Sequence, residues 1–394
     1  MQKGAEASTG HDFNQRPFIA IWEATQACDL ACVHCRASAQ PLRSSLELST
    51  SEAQKLIDQI AEMQVPVFVI TGGDPLKRPD IYDLVDYATG HGVRTSLTPS
   101  ATPLLTREAI AELKRRGLAR LAVSLDGSRA EIHDAFRRVP GSYECTLKAV
   151  RWARELGLPV QINTTITRRN LADFETLVRL LEGLDIALWS VFFLVPTGRG
   201  QLQDLISAEE FEEVFDKLHD IARRVPFDIK TTEAQHYRRY LLQRHAIESR
   251  ARDTVRAPGL RPELSGASPG SVMSSSERRP DGIGRAPRGL NDGKGFIFIS
   301  HVGEVFPSGF LPISAGNVRR QPLQEIYQCS PLFMSLRDPS QLKGKCGVCE
   351  FRHVCGGSRA RAFALTGDAF AAEPCCVYQP RPAAASGHAL QAGV

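Results

Sequence analysis

The chain has 394 residues, 42% of them hydrophobic, and a formal net charge of +4, enough to bury the core of one large α/β domain plus a smaller one. A charge this small for the length excludes a uniformly basic nucleic-acid binder. No run of about 18 apolar residues is present to cross a membrane, and the opening "MQKGAEASTGHDFNQRP" lacks a signal-peptide core, so a cytoplasmic protein with no membrane and no nucleic-acid partner is expected.

Residues 1–14 are expected to be disordered. From 15 to 200, short apolar or β-branched runs alternate with amphipathic stretches. The runs are "FIAIWEA" (17–23), "VFVITGG" (67–73), "VRTSLTPS" (93–100), "LARLAVSLDG" (118–127), "LPVQINTTIT" (158–167) and "ALWSVFFLVP" (187–196). Helical periods lie between them, such as 49–63 and 106–117, the second opening on Thr106 as N-cap and stopping at Gly117. Six strand–helix units imply a parallel sheet with helices outside, either doubly wound or a partial (β/α)6 barrel of the TIM type. In both, active-site residues gather at the C-terminal ends of strands. Small and polar residues stand there: "TGGDP", "TPS", "SLDG", "NTT" and "VPTGRG".

Residues 201–249 read as a helical continuation around "FDIKTTE". Residues 250–293, rich in Pro, Gly, Ser and Arg with almost no apolar periodicity, read as a mobile loop. From 294 to 380 a small α+β module is expected: a hairpin in "GFIFISHVGEVFPSG" turning at "HVGE", short helices at "LQEIYQ" and "SPLFMSLRD", then a cysteine-rich segment. Residues 381–394 read as a tail.

Seven of the ten cysteines fall into two groups: Cys28, Cys32 and Cys35, and Cys346, Cys349, Cys355 and Cys376. Grouped thiols in a reducing compartment read as metal ligands or catalytic groups, not disulfide partners. Cys145, Cys329 and Cys375 read as free. The spacing C-x3-C-x2-C lets one short loop hold three corners of a four-iron cluster and leave the fourth iron open to a small molecule. The competing reading is a zinc knuckle that borrows His34, whose side chain is expected to face away from the metal. The second group, C-x2-C-x5-C-x20-C, closes a site completely. By spacing alone it suits a structural zinc or an iron–sulfur cluster equally.

The first group, following the first strand, resembles the signature of the radical S-adenosylmethionine (SAM) enzymes, with His34 in the usual aromatic slot. By that resemblance, SAM chelates the open iron, is cleaved by an electron from the cluster, and yields a 5′-deoxyadenosyl radical that takes a hydrogen atom from the substrate. The same resemblance makes Gly72, Gly73, Asp74 and Pro75 the motif facing the methionine end of SAM. It gives Ser124 and Asp126 to the ribose and the carboxylate, and Asn163 and Thr165 to the same cofactor. "FFLVP" (192–196) is then the backbone contact for adenine. The segment around Cys346 is similar to the SPASM or twitch extension, which carries auxiliary [4Fe–4S] clusters. Ser308 and Ser358 stand where relatives often carry further cysteines, which favours a single auxiliary cluster held by Cys346, Cys349, Cys355 and Cys376. Cys375, adjacent to Cys376, competes with it as fourth ligand.

Within that family the C-terminal half, including "GEVFPSGFLPISAGNVR" (303–319), looks most like the radical SAM enzymes of heme biosynthesis. The resemblance implies oxidative decarboxylation or trimming of porphyrin propionates, with a flavodoxin or ferredoxin as electron donor. Arg199, Arg238 and Arg239 are candidate clamps for such a tetrapyrrole, and His236 is weighed as a heme ligand against a packing residue. Two alternatives stand beside this. One is maturation of a ribosomally made peptide by crosslinking or epimerisation, for which the roughly fifteen residues before the first strand leave no recognition domain. The other is an iron–sulfur electron carrier or sensor without SAM chemistry. No proton donor or acceptor is named by the sequence.

Overall fold

The computed structural model of the chain describes residues 11–255 and 289–381, with side chains described up to residue 250 and from 289. Residues 1–10, most of the 250–293 segment and residues 382–394 lie outside the described residues. Ten strands form one sheet: β1 Ile19–Glu23, β2 Val67–Thr71, β3 Thr95–Leu97, β4 Arg120–Ser124, β5 Val160–Ile166, β6 Leu188–Phe193, β7 Asp228–Thr232, β8 Phe296–Ile299, β9 Glu304–Phe306 and β10 Gly316–Asn317. Their order is β10-β9-β8-β1-β2-β3-β4-β5-β6-β7, parallel from β8 through β7. The six strands expected from apolar runs are all present. Their runs are nearly continuous because a parallel sheet wrapped by helices is buried on both faces.

Two strands extend this barrel sheet. β7 lies within the segment read as helical. "DIKTT" carries no apolar run, because an edge strand half-open to solvent needs none; its register with Leu188–Phe192 of β6 makes it a strand. β8 pairs in parallel with β1, Ile19 opposite Phe296, so the C-terminal module continues the barrel. The β8–β9 hairpin is antiparallel, Ile299 opposite Val305, and turns through Gly303 at φ 84°. The first described residues also pack: Phe13 lies against Gly295, and its carbonyl accepts from Tyr327 Oη at 2.7 Å.

Between strands the chain returns through capped, amphipathic helices. Helix Thr50–Glu62 starts at a capping box of Ser49 and Glu52 and buries Ala53, Leu56, Ile57 and Ile60. Helix Arg107–Arg115 is capped by Thr106, which accepts from Ala109 N at 3.1 Å. The core running through the sheet contains Trp22, Phe68, Leu97, Leu121, Ile162 and Trp189, all fully buried. Among the described residues no helix is long and apolar enough to cross a membrane.

Helix Ala208–Ala222 offers a direct test of this local logic. Ser207 Oγ accepts from Glu210 N at 3.2 Å, and Glu210 Oε2 accepts from Ser207 N at 2.6 Å. Ser207→Ala should lower unfolding stability by about 1 kcal/mol, seen as a lower urea midpoint at unchanged slope.

Candidate active site and second thiol centre

The loop after β1 lies flat against the loop after β2. Gly73 N donates to Thr25 O at 2.7 Å and Asp74 N to Ala27 O at 2.6 Å. This approach requires bare glycines: a Cβ on Gly72 would sit 2.4 Å from Thr25 O, and one on Gly73 would sit 2.4 Å from Ala27 O. Cys28 N then donates to Gln40 O at 2.7 Å, closing the loop on itself. The far side of the loop is held by Ala31 N and Val33 N, which donate to Arg137 O and Phe136 O at the end of helix Ala130–Arg137. Arg199, just beyond β6, donates from its backbone to Cys35 O and from Nε to Cys32 O, both at 2.9 Å.

Cys28, Cys32 and Cys35 line one cavity of about 210 Å3 at the C-terminal ends of the strands. Gly72, Gly73, Ser124, Asn163 and Thr165 line it too, as do Phe192 to Val195 at the end of β6. Hydrogen-bond donors already face the sulfurs. Leu30 N reaches Cys28 Sγ at 3.3 Å and Arg137 Nη1 is 3.5 Å from Cys32 Sγ, while Ser100 Oγ, whose proton goes to Gly73 O, lies 3.2 Å from Cys28 Sγ as an acceptor for the thiol. Burial pushes the Cys28 thiol up. Among the described residues these side chains are not drawn together as the ligands of one metal ion would be; they stand around a shared space. Three thiols on one cavity, sulfur-directed N–H groups and bare glycine backbone beside them fit a four-iron cluster with one iron left to a small ligand.

Three residues assigned to the cofactor do not reach this cavity. Asp74 is fully buried behind it: Oδ2 accepts from Thr102 Oγ1 at 2.9 Å, and Oδ1 caps the turn at Leu76 N at 3.2 Å. Burial raises its carboxyl to about 6, against the opposing hydrogen bond from Thr102. Pro75 opens that turn, Pro75–Lys77, and is buried with it. Asp126 is also fully buried. It pairs with Arg137 and accepts from Thr165 N at 2.7 Å. Burial, the largest single influence, pushes the Asp126 carboxyl up, but Arg137, His34, His133 and the Thr165 N–H together hold it below the usual range. The supporting role follows from geometry: the two carboxylates turn inward and tie neighbouring loops together behind the cavity wall.

Arg137 itself was not singled out by the sequence. It ends a helix as an ordinary basic residue, and only the fold sets its guanidinium between Asp126 and Cys32 on the cavity wall. Arg36 was likewise missed. It lines the cavity beside Phe192 and Phe310, pairs with buried Glu23 at 3.0 Å and lies 4.4 Å from the Phe298 ring centre. His34, expected to face away, lines the same cavity, packs edge-on to Phe136 at 5.1 Å, and is lowered by burial to about 4.

The cations expected to clamp a substrate are elsewhere. Arg199 ties the cysteine loop, Arg238 donates to Val354 O at 3.1 Å, and Arg239 pairs with Glu212. His236 is fully buried between Phe211 and Phe215, at 5.2 and 4.9 Å between ring centres, and is no exposed ligand for a bound substrate.

A second, smaller cavity is lined by Cys346, Cys349, Cys355 and Cys376, with His236, Arg239, Lys345 and Tyr378. Cys375 does not line it and packs in the main core. Glu373 N donates to Cys346 Sγ at 3.3 Å and Gly357 N to Cys355 Sγ at 3.4 Å. Burial pushes the Cys355 thiol up to about 12. Four thiols around one cavity with backbone N–H groups on the sulfurs fit a fully protein-ligated cluster. Ser358 is buried and donates to Glu233 Oε2 at 2.5 Å, and Ser308 Oγ accepts from Phe310 N at 3.2 Å. Both serines thus serve the local backbone and a carboxylate network.

The family model of the Radical SAM superfamily matches residues 22–181. The chain is 39% identical to the AdoMet-dependent heme synthase of Methanosarcina barkeri, over 92% of this chain and 97% of that one. It is 41% identical to the AdoMet-dependent heme synthase of Oleidesulfovibrio alaskensis, over 92% and 88%. Among solved structures, Streptococcus suis SuiB bound to S-adenosylmethionine superposes with a TM-score of 0.67 at 15% identity, covering 92% of this chain and 78% of that one, a likeness of fold.

Gly73→Ala should drive the β1 loop off the β2 loop, because the added methyl meets main-chain oxygen that cannot rotate away. Anaerobically reconstituted G73A should lose the iron held by the first thiol group while keeping that of the second. Iron and sulfide analysis would read this as a fall of about half.

Proposed function

The chain belongs to the radical SAM superfamily, and from that premise we propose that it oxidatively modifies a porphyrin, decarboxylating or trimming propionate side chains in heme biosynthesis. The observation that carries this reading is the identity of about two residues in five to AdoMet-dependent heme synthases, sustained over nine-tenths of this chain. The family implies a SAM-binding [4Fe–4S] cluster and SAM as cofactors, and the second thiol group supports reading an auxiliary cluster beside them. When bound, the first cluster and SAM supply a one-electron cleavage whose product takes a hydrogen atom from the substrate.

In this reading Cys28, Cys32 and Cys35 hold the first cluster and leave one iron for SAM. Gly72 and Gly73 offer main-chain edge to its methionine end, and Ser124, Asn163 and Thr165 offer polar side chains along its length. Gln161 Nε2 donates to Asn163 Oδ1 at 2.7 Å, which turns the Asn163 amide nitrogen outward as a donor. Ser100 Oγ donates to Gly73 O at 2.9 Å and Arg137 sits against Cys32, so both brace the loop that carries the cluster. Phe192 and Phe310, 6.3 Å apart between ring centres, give an apolar wall suited to a macrocycle. Arg36, which lines the same cavity and pairs with Glu23 at 3.0 Å, is a wall cation that suits a propionate. Cys346, Cys349, Cys355 and Cys376 would hold an auxiliary cluster, which would supply an acceptor for the second electron of an oxidative decarboxylation. A flavodoxin- or ferredoxin-type donor and a cytoplasmic setting complete the reading, since grouped thiols stay reduced there.

The test is anaerobic reconstitution of the wild type and of a triple Ala variant at Cys28, Cys32 and Cys35. About eight irons per chain should fall to about four, and 5′-deoxyadenosine formed with a propionate-bearing iron porphyrin should disappear. Zinc at the second group would sink the oxidative step. Unchanged iron in the triple variant would sink the first-site assignment. Formation of 5′-deoxyadenosine only with a peptide would replace the porphyrin.

A further inference from the structure

Lys230 of β7 is half-buried and has neither a hydrogen-bond nor an ion-pair partner among the described residues. Its direction follows from register. Phe192 of β6 stands opposite Thr232 of β7, and Ser190 stands opposite Lys230. Phe192 lines the first cavity, whereas Trp189 turns the other way onto Phe174 of helix Phe174–Glu182, 5.7 Å between ring centres. Ser190 Oγ lies 3.4 Å from Thr232 Oγ1, so Ser190 and Thr232 look inward together. Side chains alternate along a strand, and Lys230, two residues before Thr232, shares the inward face. Its row runs through Ser190 and Asn163 to Ser124, and the last two line the cavity.

The charges acting on Lys230 are of its own sign. Burial, then Arg120 and Arg238, lowers it to about 8, and no carboxylate is among the groups that shift it. Arg120 donates to the neutral Gln161 Oε1 at 3.2 Å, and Arg238 to Val354 O at 3.1 Å. An ammonium withdrawn from water beside two guanidiniums is costly until an anion joins it. A porphyrin lying on the Phe192 and Phe310 wall carries its propionates at the rim of the ring. The next inward position along β7 is two residues away, roughly 7 Å, a step that a propionate arm and a four-carbon lysine stem can bridge. We propose that Lys230 binds the substrate: its ammonium pairs with a propionate carboxylate that passes Asn163 into the barrel. The inference deepens the porphyrin reading and rests on it.

The test uses the full chain, anaerobically reconstituted, as wild type, Lys230→Met and Lys230→Arg. Each is titrated by absorbance with an iron porphyrin bearing free propionates and with the same porphyrin fully esterified. Wild type should bind the free acid more tightly than the ester. K230M should weaken free-acid binding about tenfold, the loss of one charge-assisted hydrogen bond, and leave ester binding as in wild type. K230R, which keeps the charge, should recover much of the free-acid affinity. Equal free-acid affinity in wild type and K230M overturns the pairing while leaving the porphyrin reading standing. Equal weakening towards acid and ester overturns it too, since that is a change in packing, as does equal weakening in K230R and K230M. Failure of the wild type to bind either porphyrin would sink the porphyrin reading itself, and the inference with it.

Discussion

Two backbone hydrogen bonds, Gly73 N to Thr25 O and Asp74 N to Ala27 O, set the position of everything around the first cavity. They draw the loops after β1 and β2 into direct contact, closer than any side chain at Gly72 or Gly73 would permit. Once that contact is made, Cys28 stands beside Ser100, whose hydroxyl donates to Gly73 O. Cys32 stands beside Arg137, which Asp126 holds from behind. Cys35 is tied to Arg199. Each cysteine is thereby held from a different part of the barrel rim, so the geometry of the loop is borrowed from the rigid sheet and its helices.

The same economy joins the two centres. Arg361 is fully buried, donates to Glu233 O and Leu194 O, pairs with Glu373 and lies 4.7 Å from the Phe211 ring centre. Leu194 lines the first cavity, and Glu373 N donates to Cys346 of the second. A buried guanidinium is costly unless every partner is in place, which ties the C-terminal module to β6 and β7 in one orientation. Glu233 takes part at φ 58°, a conformation non-glycine residues rarely adopt. Burial and the neighbouring Asp292 carboxyl push Glu233 well up, so this network includes a carboxyl that favours its neutral form. Ser308 and Ser358 belong to this neighbourhood, and their hydroxyls are small enough to fit a hydrogen-bonded interior.

Much of this was written in local pattern. The six apolar runs, the caps at Ser49 and Thr106 and the "HVGE" turn depend on residues within a few positions of one another, and composition alone places them. Cysteine spacing is equally local, so the two thiol groups that each line one cavity could be read directly. What could not be read was the partner of each charge. Asp74 and Asp126 looked like cofactor contacts because they sit at strand ends, yet each turns to a group brought near by another strand: Thr102 for one, Arg137 for the other. Arg199, Arg238 and Arg239 looked free and are bound to carbonyls or a carboxylate far along the chain.

The sequence by itself determined the periodicity of the barrel, the two thiol groups and the glycines that must stay bare, because spacing along the chain carries that information. Only the tertiary structure decided that "DIKTT" is a strand, that β8 joins β1, that Arg36 and Arg137 face the first cavity, that Cys376 and not Cys375 lines the second, and that His236 is buried against Phe211 and Phe215 on its wall. Each of these depends on which distant segments meet, and the polarity of a side chain states what it needs without stating where it finds it.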